Sequence, residues 1–468
     1  MRWLFSFLLL SLMSAVRALS VTGQRVLVVL EDLSEEKQYN QFWADLEERG
    51  FNLNFQSPKN DTLSLFKHGE RAFDHLILFP PKSKAYGPSL APKILLDFLN
   101  KAGNILLTLS ANTPIPTAIQ SLLLELDIHL PSDRNALVVD HFNYDSASAA
   151  DKHDVILTTS PSSLRSDVKN YFSVNGHIAV PRAVGQVLGN ASPLLTPILR
   201  APSTAYSYNP KDDSESIEDL FAAGQQLSLV SALQARNSGR FTVLGSSEIL
   251  LDTWFAAKLK DKEGKAVRNA NRDFIEALTA WTFHEIGVLQ VGRLEHQLTL
   301  PGSLRNSTSV QSNTELSPKI YRVKNDVTFT IELSEYSLNR FIPFYLPDSD
   351  ALQLEFTMLS PYHRLSLVPI AHTPNSTIFR THFTLPDQHG IFNFRVNYKR
   401  PFLSNIDEKR QVTVRHFAHD EWPRSWAISA AWVWMAGIAA VVVGWVGFVG
   451  LWLWSEPTDR VARGKKTQ

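Results

Sequence analysis

The stretch AISAAWVWMAGIAAVVVGWVGFVGLWLW, residues 427–454, carries no charged side chain over its whole length. An α-helix rises about 1.5 Å per residue, so about 20 apolar residues cross a bilayer core of roughly 30 Å. A helix also satisfies its own backbone polar groups inside lipid, which an irregular segment does not. Tryptophans near both ends suit the two membrane interfaces: Trp432, Trp434, Trp452 and Trp454. The stretch therefore predicts one transmembrane helix, and the alternative is a buried core helix.

The segment after this stretch, residues 455–468, reads SEPTDRVARGKKTQ and is basic. Short basic segments beside a membrane helix stay in the cytosol. Lys465 and Lys466 stand fourth and third from the C-terminus, which is the dilysine pattern that the COPI coat reads on proteins returned to the endoplasmic reticulum. Such a signal is an address that a receptor reads, and it does not anchor the chain. We predict a cytosolic tail with a retrieval signal; the alternative is a basic stop-transfer flank.

The N-terminus has the organisation of a secretory signal peptide. Arg2 supplies the charge, an apolar run follows from Leu4 to Met13, and Ala18 ends a small-residue cleavage site. The apolar run is too short for a transmembrane anchor. We therefore predict that residues 1–18 are removed and that the protein is a single-pass type I membrane protein with a luminal N-terminus.

Charge and cysteine content exclude several classes of function. The 468-residue chain has 46 Lys and Arg against 46 Asp and Glu, so no basic face is implied and nucleic acid is not an expected partner. It contains no cysteine, which excludes Cys nucleophiles, Cys–zinc sites and thiol–disulfide chemistry on this chain. The luminal part, about 400 residues, is long enough to fold in two or three domains without disulfides.

Four N-x-S/T sequons are candidate N-glycosylation sites. They begin at Asn60, Asn190, Asn306 and Asn375. A sequon in a luminal chain can carry a glycan and is expected on a surface loop. Because the motif is short and recurs by chance, we expect about half of the four to be used.

Residues 19–290 read as an α/β domain. Four apolar runs have the length of buried strands and alternate with helical patterns: Arg25–Leu30, Phe51–Phe55, Asp74–Phe79 and Gly103–Leu109. Strand and helix in alternation predict a doubly wound, flavodoxin-like parallel sheet with helices on both faces. Further along, strands are expected at Leu227–Leu233 and Phe241–Leu244, and helices at Glu248–Leu259 and Phe274–Glu285.

Residues 291–422 have a different periodicity. Apolar residues alternate with polar ones, as at Val327, Phe329, Ile331 and Leu333. The same alternation recurs in later segments that contain Leu354, Phe394 and Val412. About seven short strands separated by turn residues predict an antiparallel β-sandwich between the α/β domain and the membrane.

Three acidic segments are candidates for a catalytic, ligand-binding or metal-binding role. Asp32 ends the first strand, where doubly wound sheets bind ligands, but no Gly-rich phosphate loop follows it, and a helix cap explains it better. Asp348-Ser349-Asp350 matches the D-x-D metal–nucleotide signature of some glycosyltransferases, but a turn after Pro347 also favours such residues. His419-Asp420-Glu421 offers polar side chains in what reads as a juxtamembrane linker. With neither G-x-S-x-G nor H-E-x-x-H present, no catalytic, cofactor or metal residue is predicted.

The transmembrane stretch contains a row of small residues. Gly437, Ala440, Gly444 and Gly447 recur at spacings of three and four, which places them on one face of a helix. Small residues let membrane helices approach closely, so this row predicts a helix-packing face. The alternative is that glycine is simply common in such helices.

Several segments together resemble the forty-eight-kilodalton (beta) subunit family of oligosaccharyltransferase, whose fungal members are called wheat-germ-agglutinin-binding proteins. The resemblance covers nearly the whole mature chain, and the order of its segments is more specific than any one of them. The segments are Arg25–Asp32, Gly50–Phe55, Phe73–Pro80, Gly103–Leu106, Gln234–Asn237 with Gly245-Ser246, Trp281–Leu289, Pro386–Phe394 and His419–Glu421. The single span and the terminal Lys465-Lys466-Thr467-Gln468 resemble the fungal branch.

The resemblance implies a non-catalytic subunit of a complex that transfers a preassembled oligosaccharide from dolichyl diphosphate to the Asn of N-x-S/T sequons. The chemistry would belong to a multi-spanning catalytic subunit, and this chain would need no cofactor. Its partners would include a ribophorin-II-like subunit and a small defender-against-death-type subunit. It would support assembly, stability and retention in the endoplasmic reticulum. The first domain would be similar to glutamine-amidotransferase-like domains without their catalytic residues.

Two other functions remain open at this point. An anchored luminal sugar-modifying hydrolase would need convergent carboxylates or a metal site near the carboxyl end of the sheet. A cycling cargo receptor would carry an export signal beside the dilysine pair, and the tail shows no aromatic or diacidic export pattern.

Overall fold

The structure is a computed structural model that describes residues 20–60, 62–83, 85–133, 135–209, 220–299, 316–421 and 431–455. The predicted signal peptide, the sequon at Asn306 and the dilysine pair Lys465 and Lys466 lie outside the described residues. The chain divides into two compact units, Met1–Val414 and Arg415–Gln468.

The N-terminal part of the first unit alternates strands and helices. Its strands are β1 (Arg25–Val29), β2 (Asn52–Gln56), β3 (Phe66–Lys67), β4 (Glu70–Arg71), β5 (His75–Leu78), β6 (Asn104–Thr108), β7 (Ile128–His129), β8 (Leu137–Val139), β9 (Val155–Thr159), β10 (His177–Pro181), β11 (Gln186–Leu188), β12 (Leu195–Arg200), β13 (Tyr206–Tyr208), β14 (Leu227–Gln234), β15 (Arg240–Leu244), β16 (Leu259–Lys260) and β17 (Ala266–Val267). Its α-helices are α1 (Asn40–Glu48), α2 (Pro92–Asn100), α3 (Thr117–Glu125), α4 (Asp252–Phe255) and α5 (Asn271–Thr282).

The main sheet is mixed, so the prediction of a parallel sheet is correct only in part. Its nine strands follow the order β2-β1-β5-β6-β15-β14-β11-β7, with β12 also paired to β14. Every pair from β2 to β15 is parallel, as helix-linked strands require. The remaining pairs of the sheet, β15–β14, β14–β11, β14–β12 and β11–β7, are antiparallel. The first of these is a hairpin around the turn Asn237-Ser238-Gly239. A flavodoxin-like classification therefore stays a prediction.

Helices cover both faces of this sheet, as predicted. Phe42 of α1 and Phe274 of α5 lie in the core on one face, together with Val26 and Val28 of β1. The helices α2 and α3 lie in the core on the other face, which includes Leu27 and Val29 of β1. The predicted helix Glu248–Leu259 is wrong in extent: a 3₁₀ turn at Ser247–Leu250 precedes the single turn of α4, and β16 begins at Leu259.

The strand-rich part that follows consists of two five-stranded sheets. Its strands are β18 (Ile286–Leu298), β19 (Ile320–Arg322), β20 (Asp326–Ser337), β21 (Arg340–Pro343), β22 (Gln353–Thr357), β23 (Pro361–Ser366), β24 (Val368–His372), β25 (Thr377–Thr384), β26 (Gly390–Tyr398) and β27 (Ile406–Arg415). One sheet has the order β18-β20-β25-β24 with β21 beside β20, and the other has the order β19-β27-β26-β22-β23. Antiparallel pairs join β20 to β18, β21 and β25, β24 to β25, β22 to β23 and β26, and β26 to β27.

Aromatic rings join these two sheets. Phe329 of β20 stacks on Phe394 of β26 with ring centroids 5.5 Å apart, and Phe356 of β22 contacts Phe383 of β25 at the same distance. Within one sheet, Phe356 and Phe392 stack at 4.6 Å. The alternating residues seen in the sequence therefore face inward and form a shared core between the sheets.

The second unit contains α6 (Ala431–Trp454), a 24-residue helix with no buried residue. Among the described residues it is the one helix that is long and apolar enough to cross a membrane. Its bounds fall within the predicted stretch, residues 427–454.

Candidate functional site

Asp32 caps a helix, which confirms the structural interpretation of this residue. It precedes the 3₁₀ helix Leu33–Tyr39, and its Oδ1 accepts a hydrogen bond from the backbone nitrogen of Ser34 at 2.9 Å. This bond, which stabilises the carboxylate, holds the pKa of Asp32 below its ordinary value. The side chain is engaged in local backbone structure at the end of β1 and nothing there marks a ligand site.

The D-x-D segment is held by an ion pair. The guanidinium of Arg400 donates to both carboxylate oxygens of Asp350, with Nε 3.0 Å from Oδ2, and the Tyr398 hydroxyl donates to Oδ2 at 2.7 Å. Burial by itself would raise the pKa of Asp350, but these hydrogen bonds hold it below its ordinary value. Asp348 lies exposed in the turn. The arrangement favours a structural role over a metal–nucleotide site.

The segment His419-Asp420-Glu421 forms one 3₁₀ turn. Arg415 donates to both carboxylate oxygens of Glu421, at 2.7 and 2.8 Å, and the backbone nitrogen of Ala418 donates to the same side chain. Over the part of the chain that the structure describes, no three His, Asp or Glu side chains are grouped to hold a metal ion.

A buried polar cluster lies at the start of the parallel strands, and sequence reasoning missed it. Asn104 Nδ2 donates to His75 Nδ1 at 3.2 Å and to His284 Nδ1 at 3.4 Å. The opposite ring nitrogens face the carbonyl oxygens of Gly23 and Ser238, at 3.0 and 2.9 Å. Burial lowers the pKa of His75 to about 4 and that of His284 well below 6.5, so both rings are neutral. The signal in the sequence that could have indicated this cluster is His75, a histidine in the otherwise apolar strand β5.

A second buried group, Arg240, joins the first sheet to the strand-rich part. Its guanidinium donates to the carbonyl oxygens of Trp281, Ile286 and Gly287, at 2.9 Å for Ile286 and 2.7 Å for Gly287, and lies 4.6 Å from the Trp281 ring centroid. Burial lowers the pKa of Arg240 to about 9. In turn, Trp281 Nε1 donates to the carbonyl oxygen of Phe402 at 2.9 Å. The carbonyl oxygen of Trp281, in the last turn of α5, thus has a second donor besides the backbone nitrogen of His284.

A polar cleft of about 650 Å³ opens in the N-terminal part. Its walls are the segments 142–144, 157–164, 197–202 and 261–263. Phe142 is 60% exposed at the cleft, and Lys262 Nζ lies 4.6 Å from its ring centroid. Hydroxyl groups follow one wall, from Thr158, Thr159, Ser160, Ser162 and Ser163. Hydroxyls beside an aromatic face can bind a polar chain, either saccharide or peptide. No pattern in the sequence predicts this cleft, because its walls come from segments far apart in the chain.

Three of the four sequons lie among the described residues, and their asparagines are exposed: Asn60, Asn190 and Asn375. Asn60 Oδ1 accepts hydrogen bonds from the backbone nitrogen and hydroxyl of Thr62, at 3.1 and 2.9 Å. Exposure is compatible with glycans at these sites, and their use stays a prediction.

The small-residue row on α6 is exposed throughout, at Gly437, Ala440, Gly444 and Gly447. A Cβ added to any of these three glycines would meet no atom within 4 Å among the described residues. The face is therefore open to a neighbouring helix, and packing there stays a prediction.

Comparison with known proteins assigns most of the chain. Two family models match: the one described as OST48, N-terminal domain, over residues 17–285, and the one described as OST48 middle domain, over residues 307–456. The chain is 32% identical over 432 residues to the dolichyl-diphosphooligosaccharide–protein glycosyltransferase subunit wbp1 of Schizosaccharomyces pombe, covering 92% of each chain. It is 29% identical to the WBP1 subunit of Saccharomyces cerevisiae, covering 96% of this chain and 95% of that one.

A solved structure also matches, that of a ThuA-like protein from Parabacteroides merdae. The TM-score is 0.26 at 11% identity, over 47% of this chain and 77% of that one. A similarity this low carries no argument about the fold.

Proposed function

Because the chain belongs to the OST48 family, we propose that it is a subunit of the complex that transfers oligosaccharide from dolichyl diphosphate to Asn of N-x-S/T sequons in nascent proteins. The observation that carries the proposal is the 32% identity to a subunit of that glycosyltransferase over 92% of both chains. Similarity that extends over two consecutive family domains favours a shared role for the whole chain over a shared fold alone.

We further propose that the subunit is not catalytic. Three of its acidic candidates have a structural partner: Asp32 caps a helix, Asp350 binds Arg400, and Glu421 binds Arg415. A general acid, general base or metal ligand must be able to reach substrate, and these ion pairs and hydrogen bonds oppose that role. The chemistry would belong to a multi-spanning partner, and this chain would supply assembly and stability.

The proposed topology is that of a type I protein of the endoplasmic reticulum membrane. In it, α6 spans the bilayer, the strand-rich and α/β parts are luminal, and residues 455–468 are cytosolic with Lys465 and Lys466 as the retrieval signal. The exposed row of Gly437, Ala440, Gly444 and Gly447 would pack against helices of a ribophorin-II-like and a small defender-against-death-type subunit.

A mild-detergent purification from microsomes tests the proposal. A luminal tag placed after the signal peptide is used to purify the chain, and mass spectrometry identifies the subunits that accompany it. The eluate is then assayed for transfer of lipid-linked oligosaccharide to an N-x-T peptide. We expect a multi-spanning partner and transferase activity, and depletion of the chain should leave sequons unoccupied in other glycoproteins.

Other results would contradict the proposal. A chain that purifies alone, or with secretory cargo and no transferase activity, excludes the subunit role. Activity of the isolated chain would contradict the non-catalytic part alone. A chain in which Lys465 and Lys466 are both replaced by Ser should leave the endoplasmic reticulum when it is not assembled, and retention of that variant would contradict the retrieval signal.

A further inference from the structure

The polar cleft of the N-terminal part contains hydroxyl groups that the fold leaves unused. Its volume, about 650 Å³, lies within the range of small-molecule sites, about 300–1,000 Å³. Three exposed hydroxyl side chains on one wall have no hydrogen-bond partner among the described residues: Thr159, Ser162 and Ser163. A hydroxyl can both donate and accept a hydrogen bond, so this wall matches a ligand that is itself rich in hydroxyl groups.

An exposed aromatic ring, that of Phe142, also lines the cleft. The backbone nitrogen of Phe142 donates to Oδ1 of the buried Asp140 at 2.8 Å, and the Thr204 hydroxyl donates to the same oxygen at 2.8 Å. These bonds fix the backbone that presents the ring. A sugar ring has a face of C–H groups that can stack on an aromatic ring, and hydroxyls at its edge that need polar partners. A ring beside unpaired hydroxyls therefore fits a saccharide.

The charges in the lining of the cleft balance one another. Among the described lining residues, Arg200 and Lys262 are positive, and Asp261 and Glu263 are negative. A charged ligand, such as a phosphorylated compound or a basic peptide, would meet like charge as well as opposite charge. A neutral ligand avoids that repulsion, and the carboxylate of Glu263, which has no partner among the described residues, can accept hydrogen bonds from its hydroxyls. The lining therefore favours a neutral ligand.

The walls of the cleft are poor templates for an extended peptide. A peptide that binds to the edge of a sheet pairs its backbone with a row of N–H and C=O groups. Three residues of the walls are prolines, which have no N–H: Pro161, Pro197 and Pro202. Pro197 lies within β12, and Pro161 follows the last residue of β9 by two positions. The walls thus offer side-chain hydroxyls where a peptide would need a backbone ladder.

We propose that this cleft binds a neutral oligosaccharide. The inference rests on the proposed function, in which the complex meets such a ligand twice, as the lipid-linked donor and as the glycan of the product. Phe142 stacks on the C–H face of one sugar ring. The hydroxyls of Thr159, Ser162 and Ser163 bond to hydroxyls of the adjoining rings. The cleft holds the oligosaccharide and takes no part in the transfer step.

Photocrosslinking on the intact purified complex tests the proposal. The probe is a mannose pentasaccharide with a diazirine at its reducing end, and mass spectrometry locates the label. We expect the label on this chain, within the segments 142–144, 157–164 or 261–263. Phe142→Ala should reduce this labelling about tenfold. Tyr345→Ala removes an aromatic ring of similar exposure in the strand-rich part and is the matched control, which should leave the labelling unchanged.

Further arms of the experiment identify the ligand and its source. An N-x-T peptide that carries the same diazirine should not label the cleft. A roughly tenfold increase in NaCl concentration should leave labelling by the neutral probe unchanged, because salt screens charges only. Competition by lipid-linked oligosaccharide, or by a glycopeptide that carries the transferred oligosaccharide, distinguishes the donor from the product as the source.

Several results would overturn the proposal. They are an active complex in which the probe does not label the cleft, labelling that Phe142→Ala leaves unchanged, and a peptide that labels these segments in place of the probe. Because Phe142 is exposed, its replacement should not unfold the chain, and thermal unfolding of the variant checks this. Each of these results in an active complex leaves the subunit role standing, whereas failure of the wild-type chain to purify with partners contradicts the subunit role itself.

Discussion

The main sheet and the two sheets of the strand-rich part have interiors of different chemistry. Beneath the main sheet, polar side chains are buried almost completely, including His75, Asn104, Arg240 and Glu285. Between the other two sheets the core is a row of stacked phenylalanines that contains Phe329, Phe356 and Phe394.

The difference follows from the backbone. Helices that cover a sheet end inside the protein and leave carbonyl and amide groups without intrahelical partners. Arg240 donates to one such group, the carbonyl oxygen of Trp281 in the last turn of α5. Asn104 donates hydrogen bonds to two neutral histidines at the start of the strands. In antiparallel sheets the backbone groups of neighbouring strands bond to each other. The core between two such sheets therefore mainly needs apolar side chains that fill its volume. The first part is therefore stabilised more by specific polar contacts, and the second more by apolar side chains that fill the space between the sheets.

The largest expected effect is in the aromatic core. Phe394→Ala removes a ring that contacts His296, Tyr321, Phe329 and Phe356, and it leaves a cavity. The expected loss is about 4 kcal/mol of unfolding free energy. Thermal unfolding of the full chain in detergent measures it. Phe394→Leu, which retains most of the volume, is the control and should cost about a third as much. Equal losses would show that ring contacts matter beyond volume.

A smaller loss is expected when one partner of a buried ion pair is removed. Arg49 Nη1 lies 2.7 Å from Glu285 Oε2, and Nη2 donates to Thr279 Oγ1 at 2.8 Å. Arg49→Met leaves the fully buried carboxylate without its cation and should cost about 3 kcal/mol. Adding Glu285→Gln should restore part of this loss, measured as a double-mutant cycle. Purely additive losses would contradict a specific polar contact here and weaken the distinction between the two parts.

Acid should destabilise the main sheet through His75 and His284. Burial lowers the pKa of His75 from 6.5 to about 4, and that of His284 in the same direction. Between these values the unfolded chain binds more protons than the folded chain, so stability is complete above pH 6.5 and declines as pH falls toward 4. Among the described residues of the strand-rich part there is one such ring, His296, whose pKa is also lowered to about 4 by burial.

Hydrogen exchange resolved by segment measures this pH effect. After correction for the intrinsic pH dependence of exchange, β1, β5 and β6 should lose more protection between pH 6.5 and 5 than β20 and β26. Their start is held by two buried histidines that share Asn104, whereas the other part has one. Equal losses of protection in both parts would contradict the conclusion that buried polar groups matter more in the main sheet than in the strand-rich part.

The smallest expected effect is at Asp32. Asp32→Ala removes the hydrogen bond to the backbone nitrogen of Ser34 at the start of the 3₁₀ helix and should lower the unfolding free energy only slightly. Because the side chain is exposed, Asp32→Asn, which retains a cap, should cost little. The same thermal unfolding assay measures both variants. Loss of transferase activity in a stably folded Asp32→Asn complex would instead point to a ligand role for this residue.

Much of the secondary structure could be predicted because periodicity reports which face of an element is buried. The apolar run at Arg25–Leu30 becomes β1, and the alternation at Val327–Leu333 lies within β20. The helix α3 was not anticipated, since Thr117–Glu125 has only a weak amphipathic pattern and follows Pro116. The antiparallel pairs that lie beyond β15 in the order of the sheet were not predicted. The apolar pattern of a buried strand does not indicate the direction in which the strand pairs.

The candidate site was less predictable than the fold. Sequence reasoning identified Asp32, Asp348 and Glu421 as acidic candidates, and folding gave Asp32 a capping bond and Glu421 an ion pair. It could not identify the polar cleft. The walls of the cleft come from segments far apart in the chain, and no local pattern records which segments meet.

The sequence by itself determined the uncharged apolar stretch, the strand and helix periods and the family. Each of these depends on composition or on the order of residues along the chain, so each can be recognised without knowing which residues are in contact. Tertiary structure alone decided that His75 and His284 share Asn104, and that Arg240 meets the end of α5. Burial makes unpaired polar groups costly, so partners distant in sequence are selected by the packed fold.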